Sequence, residues 1–528
     1  MLTGDILRRS AERFARKAAI IGEHLRYTYA ELDARANQLA NALLDTTRGA
    51  PPPSPAWGGT KVAILSRNLP EYGAVFFGVA RSGCVLVNVS VLYAPEELVW
   101  VLDQADVEVL IYDTAFADKV ATVAPRLSRL ATLWHVGPTA DPASQPLPGK
   151  PLEAVMAGYA DTPPAVALHE DDPFCMTYTG GTTGRPKGVL FSHRGRVLTA
   201  HTVAVEEALD ERDVVAIVTP LFHVAALNIM FQPAMLVGAT CSFIAPWSPD
   251  NFMRRCARDG VTAAFMVPTQ ANSLVSDAGF DAGLLATWRK LSFAGAPMPD
   301  WVQLALREKL PGLALTQIYG QSEMGVLTSL RDWYLPARLG SIGRQAFNVD
   351  VGLFNLEGDA VRPGEIGEIA SRGDNLMLRY YKDPEQTAAF FKHPAKLPGW
   401  GFTGDVGTVD GDGFVTLLDR AKDMLISGGE NVYPKEIEDA LYALPAVAEC
   451  AVFGIPDAHF GELPAAYIAL KPGMTLSREQ VVAQCEANLA RHKRPRLIKF
   501  VTEFPKTPIG KIQKNLLKEP YWQGRKKI

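Results

Sequence analysis

Thr177-Tyr178-Thr179-Gly180-Gly181-Thr182-Thr183-Gly184-Arg185-Pro186-Lys187-Gly188 is the stretch around which this chain is organised. Phe174-Cys175-Met176, just before it, is a short apolar run that reads as the end of a strand. Glycines let successive backbone N–H groups converge into an anion-binding nest. The hydroxyls of Thr179, Thr182 and Thr183 add donors at its rim, and Lys187 adds a point positive charge. A polyphosphate is held by that combination. The competing reading is a glycine-rich turn with no ligand, and Pro186-Lys187-Gly188 weighs against it. The P-loop signature is not met, because Arg185 follows Gly184 and no Lys-Ser/Thr pair comes next. Taken alone, the stretch is a phosphate loop of undetermined type.

Outward from the loop, strands and helices alternate. Toward the N-terminus, 62–65, 84–89 and 107–112 read as buried strands, with helices at 70–81 and from Pro95 between them. Thr28 with Glu31 is a capping box opening a helix that turns Leu32, Ala36, Leu39 and Leu43 inward. Residues 5–16 form a further helix, and 51–59 a Pro/Gly-rich loop. The segment from Gly137 to Pro164 is proline-rich and reads as a connection. Beyond the loop, strands at 215–218, 239–244, 262–267, 291–294 and 315–319 run into polar or glycine-rich turns, and 230–236 reads as a helix. Ligand contacts in α/β sheets gather at such strand ends. From 350 to 418, Gly/Asp turns separate short strands, which predicts a small antiparallel β region. The remainder reads as a small α+β domain. The expected class is α/β: a large N-terminal domain over 1–421 and a small mobile α+β domain over 422–528.

Composition sets few limits. The chain has 528 residues, 48% apolar and 21% charged, with a formal charge of −4, so nothing points to a nucleic-acid surface. Six cysteines without CxxC spacing argue against a zinc site or a disulfide framework and fit a reducing, cytoplasmic setting. The N-terminal residues carry Asp5 and Glu12 and no apolar core, unlike a secretory signal. The longest apolar region, 214–247, is broken by prolines, His223, Asn228 and Gly238, so buried strands and a helix are expected there instead of a membrane span. A homodimer is compatible with the sequence.

The phosphate loop, Tyr319-Gly320-Gln321-Ser322-Glu323, Gly404-Asp405, Asp419-Arg420-Ala421-Lys422-Asp423 and Pro508-Ile509-Gly510-Lys511 occur in this order. Together they resemble the core motifs of the adenylate-forming superfamily of acyl-CoA synthetases, peptide-synthetase adenylation domains and beetle luciferases, over nearly the whole chain. The resemblance implies an active site between two domains and a reaction in two halves. A carboxylate attacks the α-phosphate of MgATP, giving acyl-adenylate and pyrophosphate; a thiol then takes the acyl group and releases AMP. It implies ATP, Mg²⁺ and CoA, with a small-molecule carboxylic acid as the remaining partner.

The resemblance also assigns roles. Lys187 and the loop residues Thr179, Gly180, Gly181, Thr182, Thr183 and Gly184 meet phosphate. Glu323 holds Mg²⁺ and Ser322 the α-phosphate. Gly295, Ala296, Pro297, Gln317, Tyr319 and Gly320 surround the nucleotide, while Asp405 and Arg420 take the ribose hydroxyls. Lys511 is the catalytic lysine of the first half-reaction, placed between two anions; the alternative is one more solvated lysine in a basic tail with Lys506, Lys514 and Lys518. Lys422 stands at the hinge. Ser427, Gly428 and Gly429 line the thiol tunnel, and Lys493 meets CoA phosphate. Gly180 departs from the serine frequent at that position.

The acyl pocket implied by the resemblance comprises Phe222, Val224, Met266, Gly320 and Met324, with His223 as a gate. Acetate-specific members carry tryptophan where Gly320 stands, so a glycine there predicts an open pocket and a longer or aromatic acid. No charged residue stands among these positions, which favours a plain carboxylate over an amino acid. The leading reading is a CoA ligase for a medium-chain, long-chain or aryl acid. The alternatives are an acyl-AMP ligase loading a carrier protein, a luciferase-like oxygenase and a non-catalytic nucleotide or acyl-ligand sensor.

Overall fold

The structure, a computed structural model, describes residues 1–47, 57–138, 147–179, 185–420, 423–427, 430–457, 459–506 and 512–523. Among them, two large sheets lie either side of a shared core. One runs in the order Arg344–Gln345, Gly325–Leu330, Ala314–Gln321, Lys290–Phe293, Ala263–Met266, Val214–Ile217, Thr240–Phe243, Ala18–Ile21, Arg26–Thr28. The other runs Arg379–Tyr380, Lys187–Ser192, Pro173–Thr179, Val85–Asn88, Lys61–Leu65, Val107–Asp113, Thr132–Val136, Lys150–Pro151. The interior pairs are parallel and some edge pairs antiparallel, so strand ends gather on one side.

The alternating residues of the two sheets explain the layering. Val215, Ile217, Ala263 and Phe265 join Val62, Ile64 and Phe174 in one core, filled by helices Tyr29–Thr46 and Glu71–Ser82. Their strand neighbours Ala216, Ala264 and Met266 face a second core behind the first sheet. Side chains one residue apart point to opposite faces of a strand. The Thr28/Glu31 box is present: Glu31 N–H donates to Thr28 Oγ1 at 3.2 Å and Thr28 N–H to Glu31 Oε2 at 2.7 Å. Leu32, Ala36, Leu39 and Leu43 are all buried.

A four-stranded antiparallel sheet (Asp350–Phe354, Gly367–Arg372, Gly401–Val409, Val415–Arg420) follows, as the turn spacing predicts. The last unit pairs Leu425–Ser427, Glu430–Val432, Val447–Asp457, Gly461–Leu470 and Leu497–Val501, with helices Pro434–Tyr442 and Arg478–Asn488. The expected boundary between 421 and 422 lies outside the described residues, as does most of the 51–59 loop. All six cysteines are free and buried. No described helix is long and apolar enough to cross a membrane.

Three readings need correction. The segment from 137 to 164 is not merely a connection: it adds an edge strand at Lys150–Pro151 and a short helix, Leu152–Met156. The apolar run at 230–236 starts earlier, as a π-helical turn over Ala225–Phe231 that passes into Gln232–Val237. The basic tail is a helix, Lys514–Trp522, whose lysines are paired: Lys514 with Glu438 at 2.8 Å and Lys518 with Asp423 at 3.1 Å. Lys506 likewise pairs with Glu449 at 2.7 Å.

Helix His193–Glu206 carries a buried acid at its C-terminal end. Glu207 is bonded by Ser292, beside Glu206, Arg331 and Lys290. Burial pushes its carboxyl from 4.5 up to about 7. A raised acid costs stability as pH climbs from the unfolded value through the folded one. Glu207→Gln is therefore expected to stabilise the chain at pH 8 by up to about 3 kcal/mol and to flatten the decline in stability between pH 5 and 7. Urea midpoints across that range check it.

Candidate active site

The hairpin made by Ala314–Gln321 and Gly325–Leu330 is the centre of the site. Its turn carries Ser322 and Glu323 at the C-terminal end of a sheet strand. Tyr319 Oη donates to Asp405 Oδ2 at 2.7 Å, and Gln321 Nε2 donates to the same oxygen at 3.0 Å. Arg420 Nε stands 3.2 Å from the other carboxylate oxygen. Asp405 and Arg420 are Cα partners on adjacent antiparallel strands, which fixes their spacing. Gly404, in the left-handed region at φ 73°, turns the chain into Asp405. Asp405 is 5% exposed. This is a buried carboxylate with three donors, at the mouth of the strand ends. Burial and the neighbouring Asp405 push the Tyr319 phenol well above its ordinary pKa, so it remains a donor.

Two residues on, the Glu323 carboxyl turns to a different group. Tyr380 Oη donates to Glu323 Oε1 at 2.8 Å. The Lys187 ammonium lies 5.2 Å from the Tyr380 ring centroid, and Lys187 Nζ donates to Gln386 Oε1 at 2.5 Å. Burial raises the pKa of Glu323, against the pull of the Tyr380 bond, Arg420 and Lys187. A half-buried carboxylate with one oxygen outside that bond suits a hard divalent cation. Thr179 and Lys187 are Cα partners across the two strands that flank the phosphate loop. Gly180, Gly181, Thr182, Thr183 and Gly184 lie outside the described residues, as do Lys422, Gly428, Gly429 and Lys511.

Gly295, Ala296 and Pro297 form an exposed turn after Lys290–Phe293, with Gly295 at φ 89°. Gln317 is half-buried within its strand, paired with Phe293 and Leu330. His223 is half-buried before the π-helical turn, its Nδ1 accepting the Ala225 N–H at 3.2 Å. Phe222 is buried and Val224 half-buried beside it. Ser427 is buried in the hairpin facing Glu430. Lys493 is ion-paired with Glu436.

The acyl-pocket residues do not all converge. Met324 belongs to the core between the sheets, where Val267, Ala294 and Tyr319 pack at its edge. Met266 faces the opposite way, into the core with Leu274 and Phe293. Strand parity separates them, and Val267 is the residue on the inner side. Gly320 is also not a vacancy. A Cβ built there would lie 1.9 Å from the Gly325 carbonyl oxygen, because the hairpin is bulged between Tyr319 and Gly320. The glycine permits close backbone approach. Gly320→Ala is expected to cost about 1–3 kcal/mol, read as a drop in Tm.

Tyr380, Gln386 and Gln321 are site residues that the motif reading missed. Asp383-Pro384 is a visible helix start, and Asp383 does cap helix Pro384–Phe390. The aim of Tyr380 and Gln386 comes from the pairing of strand Arg379–Tyr380 with Lys187–Ser192, which has no local signature.

Comparison with known proteins shows the family. The family model for AMP-binding enzymes matches residues 7–381, and that for the AMP-binding enzyme C-terminal domain matches 436–511. The chain is 36% identical over 492 residues to a feruloyl-CoA synthase of Amycolatopsis sp, covering 92% of each. It is 33% identical over 503 residues to a long-chain-fatty-acid–CoA ligase of Mycobacterium tuberculosis, covering 94% of this chain and 93% of that one. The crystal structure of an anthranilate CoA ligase with anthranoyl-AMP matches with a TM-score of 0.87 at 28% identity, over 99% of this chain and 97% of that one. Use of ATP and CoA fits this company. The chain belongs to the AMP-binding enzyme family, within the adenylate-forming superfamily.

Proposed function

We propose that the protein is an AMP-forming acid–CoA ligase acting on a medium-chain, long-chain or aryl carboxylic acid. The observation that carries this reading is one hairpin serving two groups: Tyr319 and Gln321 on Asp405, and Glu323 on Tyr380 beside Lys187. A nucleotide spans such a pair of sites, its ribose on the Asp405 carboxylate and its phosphates toward Lys187.

In the first half-reaction a substrate carboxylate oxygen bonds to the α-phosphorus and pyrophosphate leaves. Asp405 accepts from the ribose hydroxyls and Arg420 steadies it. Lys187 offsets phosphate charge, and Lys511, by the resemblance, would offset the repulsion between the two anions. Glu323 would hold Mg²⁺, which supplies charge neutralisation on the phosphate oxygens. In the second half-reaction the CoA thiol attacks the acyl carbonyl and AMP leaves, with the domain boundary at 421/422 and Lys422 as hinge. The Ser427 hairpin lines the thiol path in that pose. Lys493 would have to leave Glu436 to meet a CoA phosphate. The relatives include ligases named for feruloyl and for long-chain fatty acids, which supports the acid class without choosing within it.

The test is pyrophosphate release with MgATP against acids from acetate to palmitate plus benzoate and cinnamate types, with and without CoA. One acid class turning over, with CoA required for multiple turnovers, supports the ligase. Release that CoA leaves unchanged moves the acceptor to a carrier protein. No release with any acid removes the enzyme reading.

A further inference from the structure

We infer that Tyr380 and Gln386 are positioning residues: Tyr380 sets Glu323 and Lys187 in register, and Gln386 is the resting partner that a triphosphate displaces from Lys187. This rests on the reading of Lys187 and Glu323 as the phosphate-facing pair.

Tyr380 is held on every side. Its Cα pairs with Val189, two residues from Lys187 on the neighbouring strand. Its N–H donates to Thr387 Oγ1 at 3.0 Å, and Thr387 Oγ1 donates to the Asp383 carbonyl at 2.7 Å. The Phe390 ring stands edge-on at 6.4 Å. Upstream, Met377 N–H donates to the Glu323 carbonyl at 2.7 Å, and Asn375 Nδ2 to the Met324 carbonyl at 2.6 Å. The segment 375–380 is thus fastened to the Glu323 turn by its backbone as well as by the Tyr380 hydroxyl. An anchored phenol has little rotamer freedom left to lose when it orients a partner. One ring therefore serves both groups, its hydroxyl fixing one Glu323 oxygen and its face lying near the Lys187 ammonium.

Gln386 completes the arrangement. It occupies the third position of helix Pro384–Phe390, and its backbone N–H, not its side chain, is bonded by Asp383 at 3.0 Å. The amide side chain is therefore not needed for capping, and it accepts from Lys187. A neutral amide oxygen is a weaker acceptor for an ammonium than an ionised phosphate. It holds the lysine in place and yields it when phosphate arrives. A carboxylate at the same position would keep it.

That contrast gives the test. Glu in the first turn of a helix is favourable to the helix, so Gln386→Glu is expected to fold at least as well as the parent. Binding of a non-hydrolysable ATP analogue and of AMP is measured by calorimetry on the full chain, with and without Mg²⁺ and without acid or CoA. Gln386→Glu is expected to weaken the ATP analogue about tenfold or more with AMP unchanged. Tyr380→Phe keeps the ring and loses the hydroxyl; it is expected to raise the Mg²⁺ concentration needed for half-maximal analogue binding about tenfold, with Tm retained. Parent-like analogue affinity in Gln386→Glu overturns the inference. So does equal weakening of AMP and the analogue, which would mark a general disturbance of the site. If the parent binds the analogue but releases no pyrophosphate with any acid, the ligase reading fails while these binding results still decide the positioning roles.

Discussion

Asp405→Ala is expected to raise the KM for MgATP roughly 100- to 1,000-fold while lowering Tm only modestly. The carboxylate is 5% exposed and accepts from Tyr319 and Gln321, with Arg420 at 3.2 Å. Truncation leaves the phenol and the guanidinium without this acceptor, leaves the Gln321 amide with only the Thr403 carbonyl, and removes the group to which, in the proposed scheme, the ribose hydroxyls donate. Removing one partner of a buried, hydrogen-bonded charge pair typically costs about 2–5 kcal/mol. Arg420 is 42% exposed on its side chain, so water takes over part of its loss. The larger share of the cost therefore falls on nucleotide binding. Asp405→Asn keeps the shape: one side-chain oxygen still accepts from Tyr319 and Gln321, while the anionic charge is lost and an amide NH2 replaces the oxygen facing Arg420. Its KM is expected to rise about tenfold. Initial rates of pyrophosphate release against MgATP concentration measure both. A KM within threefold of the parent in Asp405→Ala, with Tm intact, would move the ribose elsewhere.

The resemblance singles out Asp405, and a local cue accompanies it. Gly404 before it needs a positive φ, and the turn that follows is cut by glycines. Local cues also mark the strand ends at Gly295 and Glu323 and the capping box at Thr28. Helix His193–Glu206 gave no such signal. His193, Gly195, Arg196, Thr199 and Thr202 are buried along with Val197, Ala200 and Val203, so its sequence shows no apolar stripe. Polar residues share its buried face with apolar ones, while His201 and Val205 are exposed; His193 stacks on Phe174 at 4.9 Å with its pKa lowered by burial to about 4. Tyr380 and Gln386 were hidden for another reason. Their targets, Glu323 and Lys187, are 57 and 199 residues away in sequence, and only the assembled sheets bring them together. Met266 shows the limit of placing pocket residues by motif position: one residue of strand parity moves a side chain to the other core.

Lys514→Ala is expected to destabilise the C-terminal unit by about 3 kcal/mol and to abolish most adenylation, although residue 514 meets no substrate in the proposed scheme. Lys514 Nζ lies 2.8 Å from Glu438 Oε1, and the two side chains are 22% and 16% exposed. Burial alone would pull the lysine's pKa down, but Glu438 and Asp419 outweigh it and hold the ammonium charged. Glu438 also accepts the Val452 N–H at 2.7 Å, and Asp419 accepts the Lys435 N–H at 2.9 Å. One ammonium thus serves helix Pro434–Tyr442, the long strand Val447–Asp457 and strand Val415–Arg420. Removing it leaves two buried carboxylates facing each other, and burial already raises the pKa of both. Lys511 precedes this anchor by three residues in sequence, so loosening helix Lys514–Trp522 is expected to disturb the role proposed for Lys511 at the phosphate. Glu438→Gln/Lys514→Met removes both charges, keeps an oxygen for Val452 N–H and fills the volume with apolar atoms. It is expected to recover most of the stability, since an apolar replacement of a buried pair is often neutral. Calorimetric unfolding reads the stability and pyrophosphate release reads the adenylation. Should the double variant regain its Tm and its adenylation together, the ion pair acts only by holding the helix in place. Regained Tm without regained adenylation would instead show that the ammonium at 514 contributes its charge to the adenylation as well.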